Sequence, residues 1–271
     1  MGLTYNQLQL IRAVAENKML DARKFAICCC EEDKTQKNQM YVTRYKDMLT
    51  KKERNMLELP HNISAFATLE DLENTYLENR YYLTEQERNL YELIKRMNDV
   101  SQQLMKKKIP YLNATLLYGE SGVGKTEFSR YVAYKLGLPY LYVNFSKMCD
   151  SYLGGTAKNL TALFNFINRQ ECVVMLDEID AIATKRKYAD SGAAAEISRS
   201  TTCLLQLLDE TTNDHVIIAA TNLLASIDEA VLRRFTEKHE ISRMSSEDNE
   251  RFICQYLDDC GIAYDLSLIH I

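Results

Sequence analysis

GESGVGKT occupies positions 119–126 of this chain as Gly119, Glu120, Ser121, Gly122, Val123, Gly124, Lys125 and Thr126. The run before it, Ala114–Tyr118, is short and apolar like a buried strand, and Thr126–Leu136 after it has a helical pattern that stops at Gly137. Glycines let such a loop curl until its N–H groups and the positive end of the helix surround phosphate groups. The pattern therefore predicts a triphosphate-binding loop, in which Lys125 reaches the β and γ phosphates and the Thr126 hydroxyl holds Mg²⁺.

A second stretch, Val173–Glu178 (VVMLDE), is a continuous apolar run that ends in two acids. Such a run is typical of a central strand that helices cover on both faces. The ligand crevice of a parallel sheet lies at the carboxyl ends of its strands, so both acids can face the site. A solvated strand end would also carry two acids, but the phosphate loop favours catalysis. We expect Asp177 to hold Mg²⁺, directly or through water, and Glu178 to act as the base that polarises the attacking water.

The composition bounds the class of protein. A chain of 271 residues with 46% hydrophobic residues can bury one sizeable core and a smaller domain. Its net charge of −5 gives no general basic excess for nucleic acid, although Lys185-Arg186-Lys187 leaves a local basic cluster. No apolar run approaches the ~20 residues of a membrane span, and the start has no signal pattern, which predicts a cytoplasmic protein without a membrane partner. The eight cysteines have no metal-ligand spacing and are expected to be reduced.

The first 78 residues predict an all-helical domain. Thr4 and Gln7 have the spacing of a capping box, and further helices are predicted at Leu20–Glu31 and within Gln39–Leu57. Two roles stay open for residues 1–78: docking of substrates or adaptors, or a helical extension that only packs on the rest of the chain.

Residues 79–243 alternate between strand and helix patterns. Thr84 and Glu87 form a second capping box, which opens a helix that runs to about Lys107. Strands are predicted at Ala114–Tyr118, Leu141–Phe145, Val173–Asp177, Val216–Ala220 and Glu240–Ser242. Alternating βα units predict an α/β fold, a P-loop NTPase with a five-stranded, mainly parallel sheet between helices.

The last residues predict an incomplete helical lid. Residues 244–265 contain one helix pattern, Ser246–Cys260, opened by Ser246. Residues 266–271 (LSLIHI) correspond to the codons CTG TCT CTT ATA CAC ATC, which resemble a transposon end used as a sequencing adapter. We therefore expect residues 266–271 to be non-native and the lid to be truncated.

With these motifs the segment Tyr81–Asp265 resembles the AAA+ ATPases, in particular their protein-remodelling branch of bacterial or phage type. The family's common loop is G-P-P-G-T-G-K-T, from which Glu120, Ser121 and Val123 depart at positions that contribute mainly backbone. The resemblance implies ATP and Mg²⁺ as ligands.

Two further segments carry the resemblance. Val216–Asn222 (VIIAATN) is similar to the family's sensor strand, which implies that Asn222 lies beside the γ phosphate and the attacking water, although an asparagine there is also a common turn former. Ile227–Phe235 (IDEAVLRRF) resembles the segment of the arginine fingers, with Arg233 and Arg234 adjacent instead of separated by Pro-Gly. Which arginine is the finger stays open, as does a helix with two solvated arginines. Because fingers act on a neighbouring subunit, the resemblance implies a ring homo-oligomer, most simply a hexamer.

A fifth segment, Asp150–Gly155 (DSYLGG), resembles the family's pore loop for extended polypeptide. The resemblance gives the substrate-gripping positions to Tyr152, Leu153 and Gly154, with the loop 185–192 as a second pore element. A lone tyrosine is also a common packing residue, and the chain has 17 of them.

We therefore expect an ATP-hydrolysing ring motor that remodels or unfolds protein substrates. The alternative is a nucleic-acid loader or replication accessory that uses ATP as a switch. A nucleotide-dependent scaffold with negligible turnover would lack the acidic strand or the fingers, and both patterns are present.

Overall fold

The computed structural model describes residues 3–15, 19–33, 38–50, 58–73, 75–107, 109, 111–149, 155–184, 192–211 and 215–263. The chain divides into two compact units, Met1–Asn55 and Met56–Ile271. The described part of the chain contains ten α-helices and six β-strands.

The elements described in the first unit are helices. Its helices are α1 (Tyr5–Ala15), α2 (Met19–Glu32) and α3 (Gln39–Thr50). The capping box at the start of α1 is confirmed, since the Thr4 N–H donates to Gln7 Oε1 at 3.0 Å and the Gln7 N–H donates to Thr4 Oγ1 at 3.4 Å. Asn6 Nδ2 donates to Glu32 Oε1 at 2.6 Å and ties the start of α1 to the end of α2.

The second unit is a mixed α/β layer structure. Its elements are β1 (Ala67–Glu70), α4 (Glu85–Lys106), β2 (Asn113–Tyr118), α5 (Lys125–Leu136), β3 (Tyr140–Asn144), α6 (Phe145–Cys149), α7 (Thr156–Ile167), β4 (Val173–Asp177), α8 (Gly192–Glu210), β5 (Val216–Thr221), α9 (Glu229–Leu232), β6 (Glu237–Glu240) and α10 (Ser246–Asp259). The sheet order is β1-β3-β4-β5-β2-β6, and every neighbouring pair is parallel except β1–β3. The predicted P-loop NTPase fold with a mainly parallel sheet is confirmed.

The number of strands differs from the prediction of five. The sixth strand, β1, lies within the first 78 residues that were predicted to be all-helical, and the two units separate at Asn55 rather than after residue 78. Two contacts distant in sequence hold β1 in place: it pairs with β3, and the Glu70 carboxylate accepts two hydrogen bonds from the Arg130 guanidinium, at 2.8 and 3.0 Å. The domain boundaries at 243 and 265 stay predictions.

Two predicted element starts also shift. The last strand is Glu237–Glu240 instead of Glu240–Ser242, because Glu237–Glu240 pairs with β2. The cap of α10 is Ser245 instead of Ser246, since Ser245 Oγ accepts the Asp248 N–H at 3.0 Å.

The core lies on both faces of the central strands. Val174 and Leu176 of β4 belong to one buried cluster, whereas Val173 and Met175 belong to another. This alternation follows the two-residue period of a strand. Burial on both faces explains why Val173–Leu176 and Val216–Ala220 are continuously apolar. The carboxyl ends of these parallel strands lie at the same side of the sheet as the phosphate loop that follows β2.

Candidate nucleotide-binding site

The loop 119–124 joins β2 to α5 and needs glycine at two positions in particular. Gly119 has φ +147°, and a Cβ there would collide with the Ile241 carbonyl oxygen. Gly124, which precedes α5, has φ +101°, in the left-handed region that side chains disfavour. The loop therefore curls tightly around the first turn of α5, whose N–H groups form the anion-binding end of a helix.

Lys125 lies at the centre of the site and is only 8% exposed. Its Nζ donates to the carbonyl oxygens of Gly119 at 2.9 Å and Glu120 at 2.6 Å, and to Asn222 Oδ1 at 2.7 Å. Burial lowers the pKa of Lys125, while the nearby carboxylates of Asp177 and Asp180 act in the opposite direction. Lys125 and Asn222 are therefore in direct contact, and all three ammonium donors of Lys125 have acceptors.

The Asp177 carboxylate lies at the end of β4, next to the phosphate loop. Its Oδ2 accepts a hydrogen bond from Thr126 Oγ1 at 3.4 Å and another from Tyr142 Oη at 3.0 Å. Its Oδ1 accepts the Glu178 N–H at 3.0 Å. Thr126 and Asp177 thus offer neighbouring oxygen ligands, which suit Mg²⁺ because this ion takes one or two protein oxygens together with substrate phosphates. The residues present fit the predicted metal.

Glu178 has an unusual backbone. With φ 56° and ψ 44° it is the only non-glycine residue of positive φ in the described ranges, and it precedes the 3₁₀ turn Ile179–Ala181. A left-handed conformation at such a residue costs on the order of 1–3 kcal/mol and is frequent at functional sites. This conformation turns the chain out of the sheet directly after Asp177.

The turn after β5 is held by Thr221. Its Oγ1 donates to Asp180 Oδ1 at 2.7 Å and accepts the Leu223 N–H at 2.9 Å. These bonds join the end of β5 to the turn after β4, and they place Asn222 beside Lys125.

The two adjacent arginines have different surroundings. The Arg234 guanidinium donates to both carboxylate oxygens of Asp209, at 3.1 and 2.9 Å, and to the Ala230 carbonyl at 3.1 Å. The Arg233 side chain is 75% exposed, and its guanidinium lies 3.7 Å from the Glu229 carboxylate. Arg234 is thus engaged within its own chain, whereas Arg233 projects into solvent.

Some predicted positions fall outside the described residues, and two contacts were not predicted. The predicted positions outside the described residues are those of the pore loop, Tyr152, Leu153 and Gly154, and residues 185–191 of the second pore element. The two contacts that the sequence did not predict are the hydrogen bond from Tyr142 to Asp177 and a 2.7 Å ion pair between Arg243 and Glu120 of the phosphate loop. The sequence signal for the contact of Tyr142 with Asp177 was a tyrosine, which carries a hydroxyl, on the predicted strand that precedes the acidic strand.

A strand, a glycine loop, a helix that begins with lysine and threonine, and an aspartate at the carboxyl end of β4, which β5 separates from β2 in the parallel part of the sheet, together define a P-loop nucleotide-binding domain. The family "ATPase family associated with various cellular activities (AAA)" matches residues 115–243. Residues 115–243 are accordingly an AAA family ATPase domain.

Several known proteins are similar to this chain. An uncharacterized AAA family ATPase, y4kL, of Sinorhizobium fredii is 37% identical over 150 residues, which are 55% of this chain and 45% of that protein. Proteasome-activating nucleotidase 2 of Haloferax volcanii is 30% identical over 191 residues, 69% of this chain and 46% of that protein. The 26S proteasome regulatory subunit 4 homolog B of Arabidopsis thaliana is 35% identical over 158 residues, 56% of this chain and 36% of that protein. The chain thus spans less than half the length of each of these relatives.

None of the helices in the described part of the chain combines the length and the hydropathy that crossing a bilayer requires.

Proposed function

We propose that this chain binds ATP with Mg²⁺ and hydrolyses it to ADP and phosphate. The observation that best supports this proposal is the hydrogen bond from Lys125 to Asn222, which joins the phosphate loop to the end of β5 beside Asp177. Thr126 and Asp177 would hold Mg²⁺, which supplies positive charge to the β and γ phosphates when bound.

The residues of the chain have separate tasks in this reaction. Lys125 exchanges its three acceptors for phosphate oxygens, and Asn222 is then released to orient the attacking water. Glu178 accepts the proton of that water. Gly119, Gly122 and Gly124 allow the backbone of the loop to approach the phosphates, with Glu120, Ser121 and Val123 completing the loop.

The site is completed by a second copy of the chain. Arg233 is the arginine finger of this proposal, because its exposed guanidinium can reach a neighbouring γ phosphate, whereas Arg234 is held by Asp209 and Ala230. A contact of this kind repeats head to tail and closes a ring, most simply a hexamer.

Protein is the proposed substrate. Two of the relatives are named as a proteasome-activating nucleotidase and a proteasome regulatory subunit, and this supports protein remodelling over nucleic-acid loading. Tyr152, Leu153 and Gly154 remain the proposed pore loop, and the helical first unit is the proposed docking region. The cytoplasm is the proposed location.

Calorimetric titration with ADP and with a non-hydrolysable ATP analogue tests the nucleotide site. Lys125→Ala should weaken binding roughly 10- to 100-fold, since it removes charged hydrogen bonds to phosphate. Lys135→Ala on the same helix is the matched control, because Lys135 pairs with Glu78 outside the site. Equal affinities of the two variants would contradict the assignment.

ATPase assays with unfolded protein and with DNA separate the two functional classes. Unfolded protein should stimulate the ATPase activity of a protein-remodelling motor. Stimulation by DNA alone would favour the nucleic-acid loader.

A further inference from the structure

We propose that Tyr142 is a positioning residue for Asp177. The Tyr142 hydroxyl orients the Asp177 carboxylate toward Thr126 and so strengthens Mg²⁺-dependent nucleotide binding. This inference rests on the proposed function of the same site. It gives a task to a side chain that no sequence motif singled out.

The geometry of two neighbouring strands brings these groups together. β3 and β4 are parallel, with Asn144 opposite Asp177, and Tyr142 lies two residues before Asn144 on the same face of the sheet. The Tyr142 hydroxyl reaches forward to Asp177 Oδ2 at 3.0 Å. Oδ2 is also the oxygen that faces Thr126 Oγ1 at 3.4 Å.

The direction of the hydrogen bond follows from the partners. An ionised carboxylate only accepts, so the hydroxyl proton of Tyr142 points to Asp177. The oxygen of that hydroxyl accepts from Asn144 Nδ2 at 3.5 Å.

The carboxylate is thereby held at both oxygens. Oδ1 accepts the Glu178 N–H at 3.0 Å, and Oδ2 accepts from Tyr142. Without the hydroxyl, the carboxylate keeps its backbone contact but can turn Oδ2 away from Thr126. Partners that orient metal ligands in this way typically change metal affinity or activity by about 10- to 100-fold when they are removed.

A purely structural role makes a different prediction. The ring of Tyr142 is half-buried and packs against the buried cluster that contains Val173 and Met175. Tyr142→Phe keeps that packing and removes only the hydroxyl. Tyr140→Phe is a matched control two residues away, since the Tyr140 hydroxyl bonds to Ser129 Oγ at 2.8 Å and not to Asp177.

The experiment is calorimetric titration of the full chain with ADP, once with excess Mg²⁺ and once with EDTA. The measured quantity is the ratio of the two affinities. Tyr142→Phe should reduce this ratio about tenfold, with the affinity in EDTA within about twofold of wild type. Tyr140→Phe should leave the ratio unchanged.

A second variant separates this role from a folding defect. In an Asp177→Asn background, Tyr142→Phe should cause no further loss of the ratio, because the two residues act through one contact. An unchanged or increased ratio in Tyr142→Phe would overturn the inference while leaving the proposed function intact. A wild-type chain that binds ADP under neither condition would overturn both.

Discussion

Lys125 and Arg233 are both cations that a bound triphosphate would require, yet their environments are opposite. Lys125 is 8% exposed and has three acceptors within its own chain. The Arg233 side chain is 75% exposed, and its guanidinium lies 3.7 Å from Glu229. Lys125 therefore belongs to a site formed within one chain, whereas the exposed Arg233 is available for the proposed contact with a second copy of the chain.

The largest expected effect concerns Glu178, in the part of the proposed catalytic site that lies within one chain. Glu178→Gln should lower the ATPase rate on the order of 1,000-fold, because the amide cannot accept a proton from the attacking water. ATP binding should persist, since Lys125 and Asp177 are unchanged. Steady-state ATPase assays and calorimetry measure the two quantities. The exposed Glu171→Gln is the control, and normal turnover in Glu178→Gln would remove Glu178 from the mechanism.

The second expected effect concerns the exposed Arg233, the proposed arginine finger. Arg233→Ala should lower the ATPase rate on the order of 100-fold, because a charge donor to the transition state is lost. Arg234→Ala should retain most of the activity at a temperature where it is folded. Rates measured at a single protein concentration compare the two, and the reverse order would assign the finger to Arg234.

The third effect concerns the amino-terminal end of the central strands, opposite the phosphate loop, where His215 directly precedes β5. The residue is 2% exposed, and burial lowers its pKa from 6.5 to about 4. The folded state therefore favours neutral imidazole, so its stabilising contribution is complete above pH 6.5 and is lost as the pH falls toward 4.

The free energy of unfolding should accordingly fall by about 2 kcal/mol from this group between pH 7.5 and pH 5. Urea titrations at the two pH values measure the loss, and His215→Gln should reduce it. An equal loss in wild type and variant would show that His215 does not titrate in this way.

The smallest effect sharpens the contrast between the two arginines. Arg234→Ala should lower the free energy of unfolding by about 1 kcal/mol or less, because its bond to Asp209 is partly exposed. Arg233→Ala should leave that free energy unchanged. Urea titrations compare the variants, and Asp209→Asn should reproduce the loss caused by Arg234→Ala. A larger loss for Arg233→Ala would contradict the assignment of its exposed role.

The sequence predicted the features that depend on local patterns. The phosphate loop, the acidic strand and both capping boxes each lie within a few consecutive residues, and their strand and helix contexts are observed. Strand β1 was missed because its four residues have no distinctive pattern, and its support comes from β3 and Arg130.

The remaining features depend on contacts between distant segments. Asp209 distinguishes Arg234 from Arg233, although 25 positions separate Asp209 and Arg234 in the sequence. Tyr142 gains its partner only through the register of β3 with β4. Single-sequence patterns contain neither the pairing of strands nor the partners of an exposed side chain.

In the proposed function each catalytic site is shared between two chains, and mixing two inactive variants tests this sharing. Glu178→Gln keeps its arginine but lacks the base, whereas Arg233→Ala keeps the base but lacks the arginine. In an equal mixture assembled as rings, roughly a quarter of the interfaces should pair an intact base with an intact arginine. If the sites are shared, ATPase activity should reappear on mixing. A mixture that is no more active than its separate components would contradict a shared site.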